Sequence, residues 1–227
     1  MAQKNPKNMI QTIAQLIILL LTLAAFVILY YSQPAHAEGL AELDDVPVIL
    51  DDPSCFEEEE LDELPVISSV GKTRVKVNGV KSKGKLLKYT IPEQLLKDDP
   101  SFLALMVEAE KYIGYPYVYG AGSPDIGFDC SGFVCWVFTH SGVRPISRLG
   151  ANGLYSICED VPREEAMPGD LVFFEKTTGS KEKGITHVGI YVGNNMMIHA
   201  GDPVGFADLK SAAWARKIYA FGRLPKN

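Results

Sequence analysis

The sequence predicts an α+β domain in the C-terminal half of the chain, because helical segments come first and a series of strands follows. Apolar residues recur at helical spacing over residues 102–112 and again over residues 133–137. Four later segments are typical of strands and predict an antiparallel sheet: residues 171–174, 186–192, 196–200 and 219–223. Gly193-Asn194-Asn195 stands between the second and third of these segments and favours a hairpin there.

Residues 1–37 are predicted to be either a signal peptide or an N-terminal membrane anchor. No charged residue lies within residues 9–33, and Lys4 and Lys7 precede them, so the positive-inside rule keeps the N-terminus in the cytoplasm. Ala35-His36-Ala37 has the pattern of a signal-peptidase site. The apolar run is also long enough, at about twenty residues, to span a bilayer uncut as a helix. Under either alternative the rest of the chain works outside the cytoplasmic membrane.

Residues 38–98 are predicted to be a charged stalk of low order, acidic first and then basic. Residues 38–70 contain no Lys or Arg and include an unbroken acidic run at residues 57–60, which is typical of a solvated, disordered segment. The alternative is a tail that binds a basic partner or calcium. Residues 71–88 are strongly basic, and they either contact anionic wall polymers or lipid headgroups, or pair with the acidic stretch. Asn78-Gly79 within them predicts a small hairpin.

A compact domain is predicted to span residues 99–227. Ser101 precedes the first apolar stripe and is expected to cap its helix, which Gly114 ends. The aromatic run at residues 115–120 follows, and its Pro and Gly restrict it to extended or turn structure. Residues 147–157 are less regular and are expected to contain a short helix.

The stretch at residues 127–136, with sequence GFDCSGFVCW, is predicted to be a loop that turns abruptly into a helix. Asp129 is a good N-cap, and Gly142 stops the helix shortly after His140. Cys130 therefore lies at a helix N-terminus, where aligned amides stabilise a thiolate and can donate to an oxyanion. The alternative is that Cys130 is one more small core residue, which is the interpretation we give to Cys135.

Two histidines, His187 and His199, lie on the paired strands of the predicted hairpin. A helix-start thiol with two such histidines suits a cysteine nucleophile, a histidine base and a third group that orients the base. A two-residue turn at Gly193-Asn194 would point the two imidazoles to opposite faces, because side chains alternate along a strand. Both can serve one site only with an odd loop or a bulge, and we predict the odd loop.

Net charge and cysteine spacing argue against two classes of function, nucleic-acid binding and zinc binding. The net charge of −6 gives no reason to expect nucleic-acid binding. None of the four cysteines forms a Cys-x-x-Cys pair, and Cys130, His187 and His199 lack the sequence spacings of zinc sites. No metal and no cofactor is therefore expected.

Three motifs carry a resemblance to a known family: FDCSGF at residues 128–133, HVGIYVG at residues 187–193 and MIHA at residues 197–200. They closely resemble the motifs of NlpC-type peptidases, papain-like hydrolases of bacterial cell walls, and the likeness covers roughly residues 102–224. HAGDP at residues 199–203 and YAFGR at residues 219–223 are most similar to members carried on conjugative elements of Gram-positive bacteria. The resemblance implies a papain-like fold whose nucleophile helix packs on an antiparallel sheet.

The resemblance also implies residue roles. By position, Cys130 is the nucleophile, His187 the base and His199 the orienting third member. Tyr117 matches a tyrosine that lines the site and helps to bind substrate or the oxyanion. Asp129 matches a position that in some members contacts the free amine of the substrate, with helix capping as the alternative.

Ser131 and Arg148 complete the set of substrate-binding residues that the resemblance implies. The chain departs from the family beside them, because Leu149 and Gly150 replace small hydroxyl residues that can bind the substrate carboxylate. Tyr119 stands where tryptophan is usual. These departures leave the chemistry intact and put the preferred peptide in doubt.

The sequence thus predicts an extracytoplasmic cysteine peptidase, secreted or anchored to the outer face of the cytoplasmic membrane. The resemblance implies that it cleaves amide bonds in peptidoglycan stem peptides, often between D-glutamate and a diamino acid, and that it opens the wall locally during conjugative transfer. Its expected partners are peptidoglycan peptides, the membrane if the N-terminal segment stays uncut, and the conjugation machinery. Two alternatives remain open: a catalytically silent module that binds wall peptides or docks to a secretion apparatus, and a papain-like acyl or amide transferase.

Overall fold

A computed structural model describes residues 63–177 and 184–225. The predictions of a signal peptide or membrane anchor and of an acidic segment concern residues 1–62, which lie outside the described residues. Within the described residues, four α-helices follow one another: α1 (Glu93–Lys97), α2 (Pro100–Glu110), α3 (Cys130–His140) and α4 (Ala151–Ser156). Among the helices of this part of the chain, none combines the length and apolarity that crossing a membrane takes.

Ten strands accompany these helices: β1 (Lys76–Val77), β2 (Val80–Lys81), β3 (Gly122–Ser123), β4 (Gly127–Phe128), β5 (Glu159–Val161), β6 (Leu171–Glu175), β7 (Ile185–Tyr191), β8 (Met196–Ala200), β9 (Val204–Asp208) and β10 (Ile218–Arg223). Six of them form one antiparallel sheet in the order β5-β10-β6-β7-β8-β9. The α+β prediction is confirmed, because helices occupy the first part of the domain and consecutive strands the second.

The main core lies between the helices and one face of the sheet. Many of its buried members come from α2, α3 and the central strands, among them Phe102, Leu105, Met106, Phe133, Val134, Val137, Phe173, Val188, Ile190 and Ile198. A smaller cluster covers the opposite face and contains Val172, Phe174 and Met197. Because side chains alternate along a strand, neighbouring residues of β6 and β8 supply both clusters.

The predicted capping of α3 by Asp129 is confirmed. The Asp129 carboxylate accepts a hydrogen bond from the Gly132 amide at 2.6 Å, and Cys130 is the first residue of α3. Gly132 is required by packing, because a Cβ atom there would lie 2.2 Å from the Ala121 carbonyl oxygen. The loop before β3 is therefore pressed against the first turn of α3.

The odd loop between the two histidine strands is also confirmed. Ile190 pairs with Ile198 and Tyr191 with Met197, so the connection consists of the three residues Gly193-Asn194-Asn195. The Val192 amide donates to the Met196 carbonyl and closes this loop. The register places His187 and His199 on the same face of the sheet.

The domain begins earlier than predicted. Residues 63–98, which composition assigns to a stalk of low order, are packed on the domain, and Ile67, Ile91 and Leu96 belong to the main core. We call residues 63–98 the strap. The Ile91 amide donates to the Ile67 carbonyl, so two distant parts of the strap are also hydrogen-bonded to each other. The predicted boundary at Asp99 is therefore wrong. A few widely spaced apolar residues anchor the strap in the core, and their spacing shows no periodic pattern that the sequence could reveal.

Two smaller expectations concern the same region. The hairpin around Asn78-Gly79 is confirmed, with both residues at positive φ between β1 and β2. Ser101 is not the N-cap of α2: the Asp99 carboxylate accepts from the amides of Ser101 and Phe102 instead. Pro100 occupies the first helical position, where its missing N–H costs nothing, and this moves the cap one residue before it.

Candidate active site

Three elements position the cysteine and the two histidines. Cys130 opens α3 and is buried, with 6 % of its surface exposed. His187 lies near the start of β7 and His199 near the end of β8, and both side chains are buried. The three residues thus lie at one helix terminus and on two neighbouring strands.

The pairing of β7 with β8 ends on the side of the sheet where the N-terminus of α3 lies. β7 and β8 pair at Ile190–Ile198 and Tyr191–Met197, and towards His187 and His199 their pairing stops. The Val188 amide, next to His187 in the chain, faces the Cys130 thiol at this opening and acts to lower its pKa. The thiol thus approaches from the helix face of the sheet, whereas the imidazoles belong to the opposite face.

The two imidazoles form a buried pair. Nε2 of His187 lies 2.8 Å from Nδ1 of His199, and the ring planes are inclined by 80°. This contact uses Nε2 of His187 and leaves its Nδ1 for another partner. Gly189 allows the close approach, because a Cβ atom there would lie 3.1 Å from Cβ of His199.

Trp214 covers the histidine pair, and sequence reasoning missed it. Its ring is stacked on His187 at 5.2 Å and meets His199 edge-on at 4.9 Å, measured between ring centroids. Phe174 closes the same side, 4.8 Å from Trp214. Trp214 lies in a run of turns after β9, so no periodic pattern marks it; its one signal is that it is one of two tryptophans in the chain.

Burial sets the protonation states. It raises the pKa of the Cys130 thiol to about 11, with a further contribution from the Asp129 carboxylate, although the amides of Val188, Ser131 and Cys130 act in the opposite direction. The expected stabilisation of a thiolate by the helix terminus is thus present but outweighed by desolvation. Burial also lowers the pKa of His199 to about 4.

The His187 pKa falls well below its ordinary value, first through burial and then through His199 and Lys217. At neutral pH the resting site therefore holds a thiol and two uncharged imidazoles. Among the described residues, no hydrogen bond joins the Cys130 thiol to either imidazole, and no group of His, Cys, Asp and Glu side chains is arranged to hold a metal ion.

Asp129, Ser131 and Arg148 form a polar cluster beside the thiol. One Asp129 oxygen accepts from the Gly132 amide and the Ser131 hydroxyl, and the other accepts from the Gly120 amide and from Arg148 at 2.5 Å. Arg148 also donates to the Ser131 hydroxyl at 3.0 Å. The Asp129 carboxylate is thus fully engaged within the protein, whereas the Arg148 side chain is 41 % exposed.

Tyr117 and Tyr119 stand on the loop that precedes the cysteine. The backbone of Tyr117 forms an isolated parallel β-bridge with Phe128. Burial raises the pKa of the Tyr117 hydroxyl, with further contributions from Cys130 and Asp129. Its hydroxyl therefore keeps its proton and remains a hydrogen-bond donor near the thiol. Tyr119 is 90 % exposed and projects into solvent from the same loop.

Comparison with known proteins gives consistent results. Residues 114–223 match the sequence profile of the NlpC/P60 family. The bifunctional muramidase/DL-endopeptidase CwlT of Bacillus subtilis (strain 168) is 43 % identical over 121 residues, which is 53 % of this chain and 36 % of that protein. The probable endopeptidase p60 of Listeria innocua is 41 % identical over 122 residues, which is 53 % of this chain and 24 % of that protein.

A solved structure is similar as well. The NLP/P60 family protein described as similar to lipoprotein, from Staphylococcus aureus, is 40 % identical and superposes with a TM-score of 0.53, covering 57 % of this chain and 43 % of that one. The chain spans about a third or less of the length of the two curated relatives. The similarity concerns the part of the chain that contains Cys130, His187 and His199.

Proposed function

Because residues 114–223 form a domain of the NlpC/P60 family, we propose that the chain is a cysteine peptidase that cleaves amide bonds in peptidoglycan stem peptides. One observation carries the proposal: the Cys130 thiol, at a helix N-terminus, faces the Val188 amide, which follows His187 of a buried pair of hydrogen-bonded imidazoles. The names of the relatives support it, since they include a DL-endopeptidase and a probable endopeptidase.

In the proposed mechanism a proton passes from the thiol to His187 through the opening where the β7–β8 pairing stops, because the thiol and the imidazoles belong to different faces of the sheet. Nδ1 of His187 is left for the thiol, because Nε2 is held by His199. As the thiol attacks the amide carbonyl, its proton passes to Nδ1, and the imidazolium that results is stabilised because its Nε2–H donates to Nδ1 of His199. His199 suits this role because its low pKa keeps it an uncharged acceptor.

The acyl-enzyme then forms and decays by the same groups. His187 gives its proton to the leaving amine, the amide C–N bond breaks and the acyl group stays on the Cys130 sulfur. His187 next removes a proton from water, which attacks the thioester and restores the thiol. Hydrogen bonds in such sites often tighten only when substrate is bound, which accounts for the absence of a direct thiol–imidazole bond in the resting protein.

The tetrahedral oxyanion would be stabilised by the terminus of α3 and by Tyr117. The amides of the first turn point towards the thiol, and the protonated Tyr117 hydroxyl lies near it. The half-exposed Arg148 is suited to bind a carboxylate of the peptide, as in a stem peptide that contains D-glutamate. Asp129 acts mainly through capping and through holding Arg148, and a substrate amine would have to compete with these contacts.

The setting of the reaction belongs to the same proposal. A signal peptide or anchor at residues 1–37 would place the domain at the outer face of the membrane and in the wall. Local wall opening during conjugative transfer, together with a partner in the conjugation machinery, rests on the likeness of the HAGDP and YAFGR motifs. An acyl or amide transferase differs only in the acceptor, since an amine would take the place of water.

The test is the digestion of purified peptidoglycan by the full chain, with mass spectrometry of the released fragments and a count of new amines. We expect fragments cut within the stem peptide, and none with Cys130→Ala. Cys135→Ala is the matched control, because Cys135 is equally buried on the same helix and its thiol faces the Leu149 backbone. Binding of the wall without release of fragments would favour the silent module, and products carrying an added amine would favour the transferase.

A further inference from the structure

The strap before the peptidase helices carries a concentrated positive charge, which the proposed chemistry does not use. We call residues 71–88 the basic strap; its seven cationic side chains are Lys72, Arg74, Lys76, Lys81, Lys83, Lys85 and Lys88. The stretch contains no acidic residue. Every one of these cationic residues is exposed.

The charges of the basic strap are not neutralised by the part of the domain that the structure describes. Lys72 pairs with Glu110 at 3.1 Å, and Arg74 donates to two backbone carbonyls. The remaining lysines of the strap form no ion pair with an acidic side chain of residues 63–177 and 184–225. An external anion would therefore meet donors that the domain itself leaves available.

Backbone pairing brings two of these charges together. Lys76 stands directly opposite Lys81 in the β1–β2 hairpin, and the next pair, Val77 and Val80, closes the turn. Like charges at directly opposed positions destabilise a two-stranded ribbon, which is already marginal alone. Repulsion between the two lysines thus destabilises the hairpin, and an anion bound between them would remove this repulsion.

The basic strap runs to the edge of the active site. The Lys83 amide donates to the Asp202 side chain at 3.2 Å, and the Gly84 amide donates to the Asp202 carbonyl at 2.7 Å. Asp202 follows His199 by three residues, in the turn between β8 and β9. A ligand bound along the strap would therefore be held beside the histidine end of the site.

We propose that the basic strap binds a flexible anionic polymer of the cell wall whose repeating charges are phosphodiesters, and so holds the wall against the active site. Two of the cations face each other across the hairpin and the others flank it along the chain, and such a series of charges suits a linear polymer with repeating charges. A membrane surface fits less well, because no aromatic residue of the strap is available to insert at the interface. The location in the wall rests on the proposed function, whereas the binding itself does not.

The experiment measures binding of poly(glycerol phosphate) to the full chain by titration at low and at raised salt. We expect affinity to fall steeply between about 0.05 and 0.3 M salt, since exposed charges are screened over that range. The triple variant Lys76→Gln, Lys81→Gln, Lys85→Gln should bind at least about tenfold more weakly. The control variant Lys97→Gln, Lys176→Gln, Lys210→Gln removes the same net charge from exposed lysines elsewhere and should bind like the unchanged protein.

Several results would overturn the proposal. Equal losses in the two triple variants would mean that only net charge matters. Binding to vesicles of phosphatidylglycerol and phosphatidylcholine in equal parts, but not to the polymer, would assign the strap to a membrane. No polymer binding by the full chain at low salt would overturn the proposal outright. Repeating the titration with Cys130→Ala separates the two proposals, because we expect binding to persist when cleavage is lost.

Discussion

At the scale of single residues, burial decides how the candidate nucleophile and base are held before substrate arrives. Desolvation raises the thiol pKa and lowers both imidazole pKa values, so the proton resides on sulfur. A peptide carbonyl bound beside Tyr117 would change this balance, because the developing negative charge moves from the sulfur to an oxygen that has donors around it. The resting site is therefore a neutral pair that becomes charged during attack.

Alkylation of Cys130 by iodoacetamide tests this protonation state. With a thiol pKa of about 11, the thiolate fraction near pH 7 is about one in ten thousand, and the rate should rise about tenfold with each pH unit up to about pH 10. Peptide mass spectrometry would follow the Cys130 fragment separately from the other cysteines. A rate that stays constant from pH 6 to 9 would instead indicate a thiolate–imidazolium pair, and the account would be wrong at this point.

Substitution of Trp214 tests whether its ring positions the histidines. Removing the ring in Trp214→Ala lets water reach His187, which weakens desolvation and raises its pKa, so the acidic limb of the pH–kcat profile should move to higher pH. We expect kcat to fall about tenfold or more, since an imidazole without its stacking partner is less well oriented. Trp214→Phe keeps a ring there and should restore most of the rate. Loss of stability alone, with kcat and the pH profile unchanged, would show a purely structural role.

At the scale of secondary-structure elements, one carboxylate links the start of α3 to the substrate-binding candidates. Asp129 caps the helix through the Gly132 amide and holds Arg148 with its other oxygen. The same side chain therefore fixes the direction of the helix terminus and the position of the guanidinium. Capping and the proposed role towards substrate therefore coincide at one residue.

Urea unfolding of Asp129 variants tests this double role. Asp129→Ala should lower the free energy of unfolding by about 1–2 kcal/mol. The helix loses its cap, and the amides of Gly120 and Gly132 lose their acceptor. Asp129→Asn should lose less, because its amide oxygen can still accept from the Gly132 amide, yet it should weaken substrate binding through Arg148. Identical unfolding curves for the two variants would contradict the assignment of the cap.

Elements marked by a local pattern could be predicted from the sequence, and elements fixed by tertiary packing could not. The three-residue loop at Gly193-Asn194-Asn195 follows from the requirement that both imidazoles share a face. In contrast, β5 is short, exposed and rich in acidic residues, and β9 follows Pro203 with a mixture of small and apolar residues, so neither resembles a strand. Trp214 is placed by the return of the chain from β9 to β10, which no local pattern encodes.

At the scale of the whole molecule, the strap of residues 63–98, which precedes α2, is part of the domain. Composition predicts low order for it, because its charge is high and its apolar residues are sparse. Three of those residues nevertheless fill the main core: Ile67, Ile91 and Leu96. Backbone hydrogen bonds to Gly114 and Asp202 fix the strap along the edge that β9 forms. The charged surface of the strap thus has a defined position relative to the site.

Truncation tests this account of the domain boundary. A fragment that starts at Asp99 loses the three buried side chains, each contributing about 1.5–3 kcal/mol, which together approach the total stability of an ordinary domain. We expect it to unfold without a cooperative thermal transition, whereas a fragment that starts at Glu63 should retain one. Equal transition temperatures for the two fragments would restore the boundary that composition suggests.

The most direct test of the central claim is to trap the acyl-enzyme. The full chain is mixed with a soluble stem peptide, quenched in acid within the first turnovers and analysed by intact-mass and peptide mass spectrometry. The account predicts an adduct with the mass of the N-terminal half of the cleaved peptide, located on Cys130 and absent from Cys130→Ala. Cleavage that continues in Cys130→Ala, or an adduct on another residue, would contradict it.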